Sequence, residues 1–265
     1  MKEWKIIIDK VPLKGSLNMA VDEYLFRYLG ESPQTYLRFY QWEKPTVSLG
    51  YSQNIWKVTD MDYCQENGID IVRRITGGKL VLHYKEVTYS VCSSESETFT
   101  PRLSDSYKLI SQALMLGLAK MGLTPYLAAD PPSIYARGNL PCFSYPARDE
   151  IEVEGKKIIG SAQKRLETCF IQHGSIPLEE DRGLLESVSS LNSGENKRRM
   201  TSLSQLLEKK VGFEWAVECL KAGFSEHFGV SLKTKIFKKD EMEEIFKIQK
   251  QRYENRDWTV LRKEC

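Results

Sequence analysis

The sequence predicts an α+β fold, in which a largely mixed or antiparallel sheet is flanked by helices. Three observations predict it. Short runs of β-branched and aromatic residues recur along the 265-residue chain, each ended by Gly, Pro or a polar cluster. Helical patterns fall among them without the regular strand–helix alternation of a parallel α/β sheet. The composition, 41% hydrophobic and 28% charged, supplies enough apolar surface for a core. One domain over 1–265 is expected, with a mobile connection over 179–200 and a C-terminal tail over 253–265.

The elements follow in order. Trp4–Ile8 reads as a first strand, and a helix begins with Ser16 as N-cap and stops at Gly30. Residues 35–40 and 45–49 read as strands, 59–67 as a short helix closed by Gly68, and 69–74 as a strand entering Thr76-Gly77-Gly78. Strands over 80–83 and 87–91 turn at Tyr84-Lys85. The clearest helix is 104–121, where Ile110, Ala113, Leu114, Gly117, Leu118 and Met121 share one face. Residues 131–147 are a Pro/Gly-rich loop. Ile151 and Val153 alternate with Glu150, Glu152 and Glu154, giving a buried and a wet face, and Glu154-Gly155 supplies a hairpin turn. A strand over 168–173, helices over 202–207 and 215–227, a strand over 230–237 and a helix over 240–251 complete the chain.

Charge and composition exclude several functions. The 38 basic and 36 acidic residues leave a net charge of +2, so no global field recruits nucleic acid. No run of about 18 apolar residues offers a membrane span, and the N-terminus lacks a signal-peptide core. A cytoplasmic protein is expected. The six cysteines lack C-x-x-C spacing and read as free thiols. Three dispersed histidines make no metal site.

Four stretches carry candidate chemistry. In Arg73-Arg74-Ile75-Thr76-Gly77-Gly78, the paired glycines let backbone approach a ligand, with Arg74 gripping an anion. The alternative is a β-turn beside two solvated arginines. His83, ending an apolar strand, is either a ligand contact or a satisfied structural histidine. Cys142 stands between Pro141 and Pro146, where a thiol is either an exposed nucleophile or a small hydrophobe. Lys157, on the returning hairpin strand near Val153, is the cation that would activate it, provided the loop folds back. His173-Gly174-Ser175 either orients a ligand or turns at a strand end. The remaining cysteines read as structural, Cys169 as strand packing.

Taken together, these stretches resemble the biotin/lipoate ligase and transferase family. The likeness rests on Asn18–Asp22, Leu37–Tyr40 with Trp42 and Pro45, Ser48–Gly50, and Arg73-Arg74-x-Thr76-Gly77-Gly78 followed by His83. A second signature is Gly155-x-Lys157-x-x-Gly160-Ser161-Ala162-Gln163-x-Arg165, then His173-Gly174-Ser175. Thr88-Tyr89-Ser90, Pro141-Cys142-Phe143 and Gln172–Ile176 are most similar to octanoyltransferases of the LipM type.

The resemblance implies a catalytic domain of that family's fold. It implies Cys142 as acyl carrier and Lys157 as the group that lowers its pKa. Arg74, Gly77, Gly78, His83, Ser161, Gln163 and His173 would contact substrate, with no metal. The donor would be octanoyl-acyl carrier protein. The acceptor would be the glycine-cleavage H protein or a lipoyl domain of 2-oxoacid dehydrogenases, and an apolar tunnel would take the C8 tail. No cofactor is implied. ATP and magnesium enter only if the chain is a lipoate–protein ligase, the alternative enzyme; a non-catalytic acyl-binding or carrier-docking protein is the third reading. Lys79 stands where many ligases carry a third glycine, which argues against a tight nucleotide loop, and Tyr84 stands where family members often have Asp. The few residues after Trp258 leave no expected accessory domain.

Overall fold

The computed structural model describes residues 2–29, 33–128, 150–190 and 200–263. Cys142 and the 131–147 loop lie outside them, as do Gly30 and part of the 179–200 connection. Its strands are β1 (Lys2–Ile8), β2 (Thr35–Tyr40), β3 (Thr46–Leu49), β4 (Asp70–Arg73), β5 (Val81–His83), β6 (Glu86–Ser93), β7 (Tyr126–Leu127), β8 (Ile151–Val153), β9 (Lys156–Arg165), β10 (Phe170–Pro177) and β11 (Val230–Thr234). Eight form one sheet in the order β11-β1-β2-β6-β10-β9-β8-β7, and three form a small sheet in the order β4-β3-β5. The pairs β11–β1 and β1–β2 are parallel, and the rest of the large sheet is antiparallel. The mixed sheet expected from the sequence is therefore present.

Alternation along β6 sets the two faces. Val87, Tyr89 and Val91 enter one apolar cluster, and Cys92 enters the other. The helices α4 (Leu103–Lys120) and α7 (Phe213–Phe228) cover the first face, bringing Ile110, Leu114, Leu220 and Phe224 into its core. The second face is covered by α1 (Gly15–Arg27), α8 (Lys239–Ile248) and a π-helical turn over Gln249–Tyr253. Short helices α2 (Ile55–Val58), α3 (Met61–Glu66) and α5 (Arg182–Val188) pack with the small sheet around Val47, Leu49, Ile55 and Cys64. The turns α6 (Leu203–Leu206) and α9 (Arg256–Thr259) complete the helices of the described residues.

Several local expectations change. Ser16 lies inside α1, whose N-cap is Lys14; its hydroxyl accepts from Gln249 instead. The strand expected over 168–173 runs from Phe170 to Pro177, because its partners β6 and β9 continue alongside. His173-Gly174-Ser175 is therefore mid-strand and not a strand-end turn. Glu154 and Gly155 both take positive φ, as the hairpin needs, but the alternation breaks at Glu150, which is buried with Glu152 half-buried. Lys157 pairs with Glu152, and Lys156 with Val153, one place from the expected register. The stretch read as a tail is packed: Trp258 is fully buried, and its indole donates to the Arg73 carbonyl at 2.8 Å.

The α4–α7 crossing depends on close backbone approach. A Cβ at Gly223 would lie 2.4 Å from the Gly117 nitrogen and 2.6 Å from the Ala113 carbonyl oxygen. At Gly183 it would meet only the Asp181 carboxylate, at 3.7 Å. We predict that Gly223→Ala destabilises the protein by about 1–3 kcal/mol in urea unfolding, while Gly183→Ala changes the midpoint little.

Candidate active site

A cleft opens between β6, β10, β9 and the small sheet. Met19, Tyr40, Trp42, Val81 and Ala162 form its apolar wall, and Ser48, Arg74, His83, Ser161 and His173 are its polar lining. These five residues come from α1 (Met19), β2 and the segment after it (Tyr40, Trp42), β5 (Val81) and β9 (Ala162), and they form one apolar surface with polar groups beside it.

His173 sits at the centre of one network. Its Nδ1 lies 3.0 Å from Asp22 Oδ2, and its Nε2 lies 2.6 Å from Thr76 Oγ1. Asp22 also accepts from Arg38 at 2.8 Å, Tyr40 at 2.9 Å and Ser90 at 2.9 Å. Burial works to raise the Asp22 carboxyl, but the His173 hydrogen bond and the Arg38 charge outweigh it and hold the group below its ordinary value. Burial pushes His173 down, against the pull of Asp22. The assignment that satisfies both atoms is a neutral imidazole with the proton on Nδ1, donating to Asp22 and accepting from the Thr76 hydroxyl.

His83 sits at the centre of the second. Its Nε2 meets Ser48 Oγ at 2.7 Å and its Nδ1 meets Glu86 Oε1 at 2.7 Å. Trp42 stacks on the ring, with centroids 4.0 Å apart and planes 11° from parallel. Glu86 also accepts from Ser175 at 2.5 Å and from Thr88, which in turn accepts from the Trp42 indole at 2.7 Å. Sequence reasoning missed Glu86. It opens a strand whose every residue is buried, which only the coordinates reveal.

The glycine loop is built around two buried arginines, not solvated ones. Arg74 donates to the carbonyls of Ser48 (2.9 Å), Gly77 (2.9 Å) and Lys79 (2.7 Å) and to Ser48 Oγ (3.0 Å). Its charge therefore shapes the loop. Gly78 takes φ +90°, and a Cβ there would meet Arg74 Nη2 at 2.8 Å, so glycine is required. Arg73 donates to the carbonyls of Gly50, Tyr51, Gln53 and Thr259, and burial lowers its pKa to about 10.

Arg74, His83, Ser161 and His173 thus come together on the cleft wall. Gly77 and Gly78 form the loop behind Arg74, while Gln163 donates to Gln172 at 3.3 Å, farther along β9. Ser161 exchanges a hydrogen bond with Tyr89 at 2.7 Å. Lys157 is buried, with its ammonium 2.6 Å from Glu150 Oε1; Glu150 is the second acidic residue that the sequence reading missed, having placed it on the wet face. Among the described residues, no group of His, Cys, Asp and Glu is arranged to hold a metal ion, and no helix is long and apolar enough to cross a membrane. Cys64, Cys92, Cys169 and Cys219 are free thiols.

Residues 14–225 match the model of the lipoyl protein ligase A/B catalytic domain. The chain belongs to that family. Similar relatives are an octanoyltransferase LipM of Bacillus anthracis, 36% identical over 97% of this chain and 98% of its own, and one of Kyrpidia tusciae, 38% identical over 88% and 89%. Among solved structures, a lipoate-protein ligase A bound with ATP aligns with TM-score 0.84 at 22% identity, covering 97% of this chain and 98% of its own. A putative lipoate protein ligase from T. acidophilum with bound lipoic acid aligns with TM-score 0.82 at 21% identity, covering 97% and 99%. These ligase structures share the family fold: the mixed sheet and its helices.

The folded state keeps His173 neutral, so on acidification the unfolded chain takes up that proton first. The associated stability is complete above the unfolded value of about 6.5 and is lost as pH falls toward the lower folded value. Asp22 adds a further loss only below the unfolded carboxylate value of about 3.9, as pH falls through its depressed folded value. Burial also lowers His227. In a His227→Gln background, we predict that the urea midpoint falls between pH 7.5 and 5.5 and that His173→Gln flattens this slope.

Proposed function

We propose that the protein is an octanoyltransferase of protein lipoylation that carries the acyl group on Cys142. The near-full-length kinship with proteins named octanoyltransferase carries this reading. The Cys142 thiolate attacks the carbonyl carbon of octanoyl-acyl carrier protein, and the carrier's thiolate leaves as the new thioester forms. The amine of a lysine on a lipoyl-accepting protein, the glycine-cleavage H protein or a 2-oxoacid dehydrogenase lipoyl domain, then attacks. The C–S bond breaks, the amide forms and Cys142 is regenerated as thiolate; the lysine, which arrives as an ammonium, gives up one proton to the medium before attack and a second as the amide forms. Each step starts from a thioester, so no ATP or metal is needed to activate the acyl group.

Lys157 is assigned two roles in this scheme: its ammonium favours the thiolate and stabilises the oxyanion that develops during attack. Its burial beside Glu150 supports a fixed charge over a roaming one. The apolar wall of Met19, Tyr40, Trp42, Val81 and Ala162 suits the C8 chain. At about 0.8 kcal/mol per buried CH₂, that chain contributes at most roughly 6 kcal/mol to recognition.

Intact mass after incubation with octanoyl-acyl carrier protein tests the proposal. Wild type is expected to gain one octanoyl group without ATP, and Cys142→Ala none. Lys157→Met should load on the order of 10²–10³ slower, the usual loss of an oxyanion stabiliser. Transfer that persists in Cys142→Ala, or that requires ATP and magnesium, overturns the proposal.

A further inference from the structure

We propose that an acidic pocket beside the acyl cleft is the subsite for the cationic side chain of the acceptor lysine. This rests on the transferase reading, which makes a lysine amine the second substrate. The pocket, about 480 Å³, opens where Leu82, Tyr84 and Glu86 meet Ser175, Pro177 and residues 179–182. Ser175 lines both this pocket and the acyl cleft. Its hydroxyl donates to Glu86 Oε2 at 2.5 Å, while Glu86 Oε1 meets His83 of the acyl cleft at 2.7 Å. One layer of hydrogen-bonded side chains therefore separates the two spaces.

The pocket's charge identifies its ligand. Among the described residues that line it, Glu86, Glu179, Glu180 and Asp181 stand against the guanidinium of Arg182. Glu179 is paired with Lys85 at 2.7 Å, and Asp181 caps α5 through the Leu184 N–H at 2.9 Å. Glu180 is different. Its side chain is only 4% exposed, and Oε2 accepts from Arg182 at 2.7 Å. Its Oε1 is buried and, among the described residues, has no hydrogen-bond partner. A buried carboxylate oxygen without a donor is costly, and a ligand that brings donors relieves it.

A lysine ammonium brings three donors. Its methylene stem suits the apolar part of the wall, formed by Leu82, Pro177, Leu185 and Met200. A metal ion fits less well, because no three ligating side chains of the described residues are grouped to hold one. A nucleotide phosphate would face four carboxylates and be repelled.

The test follows each half-reaction separately. Octanoyl-enzyme is prepared from wild type, Glu180→Gln and, as a second variant at the pocket rim, Glu179→Lys. Each is discharged either with an unlipoylated E2 lipoyl domain or with hydroxylamine, a small neutral nucleophile that needs no cation site. Both variants are expected to discharge to the lipoyl domain at least tenfold more slowly than wild type at subsaturating acceptor, with the hydroxylamine rate kept within twofold. Unchanged lipoyl-domain rates, or equal slowing with hydroxylamine, overturn the subsite. If wild type forms no acyl adduct, the transferase reading fails by itself. Calorimetric binding of the same lipoyl domain then decides the pocket: weaker binding to Glu180→Gln supports it, and equal affinity rejects it.

Discussion

Asp22 accepts hydrogen bonds in the interior from Arg38, Tyr40, Ser90 and His173, and the rest of the site depends on that convergence. The four donors come from β2, β6 and β10, while Asp22 itself belongs to α1. Placing a carboxylate in the interior costs several kcal/mol unless charge-assisted hydrogen bonds offset it. Here Arg38 supplies the opposite charge and is itself held by Asp9 at 2.7 Å and by Asn18 Oδ1 at 2.8 Å. A slip of α1 along the sheet would take the Asp22 carboxylate away from its four donors and leave Arg38 with Asp9 alone, so the network fixes one docking register. That register carries Met19, one residue of the apolar wall, into the cleft.

From Asp22 the constraint passes to the glycine loop. His173 links Asp22 to Thr76 Oγ1, and the Thr76 carbonyl accepts from the Tyr51 N–H at 2.8 Å. Arg74 and Arg73 bind the surrounding carbonyls, and Trp258 closes on Arg73 from the chain's far end. The loop is thus held by its own backbone acceptors and two buried cations. Its shape depends on contacts among residues 22, 50–53, 73–79, 173 and 258–259.

The fold was largely legible in the sequence, and the site only in part. Period-2 runs located most strands, and the 104–121 face located α4, because both report which side chains meet the core. The same reasoning failed where charge is buried. Glu150 shares the parity of two more exposed glutamates, yet it turns inward to meet Lys157, seven residues away. Asp22 and His173 meet across 151 residues, a separation that no local pattern encodes. For Arg73 and Arg74, a ligand loop and a solvated turn stayed open as alternatives because their acceptors are backbone carbonyls, which every sequence offers everywhere. Local reading offered His83, Lys157 and His173 as candidates and the resemblance to a known family added Ser161 and Gln163, whereas Glu86 and Glu180 came only with the coordinates.

The internal pairing of the cleft bears on the proposed chemistry. A site for a triphosphate needs donors aimed outward, but Arg74 directs its N–H groups to Ser48, Gly77 and Lys79. A thioester and an alkyl chain make no such demand, since neither carries charge. The charged participant in the proposed transfer is the acceptor's ammonium, and the carboxylates lie in the adjoining pocket with Glu180 Oε1 buried and unpartnered among the described residues. Separating the two spaces has a physical consequence. Under that proposal the acyl chain would keep an apolar wall undisturbed by carboxylates, and the amine would keep a polar environment until it reached the carbonyl. In the proposed transfer, the His83–Glu86–Ser175 layer is where those requirements meet, and its hydrogen bonds would maintain the boundary between an apolar substrate and a cationic one.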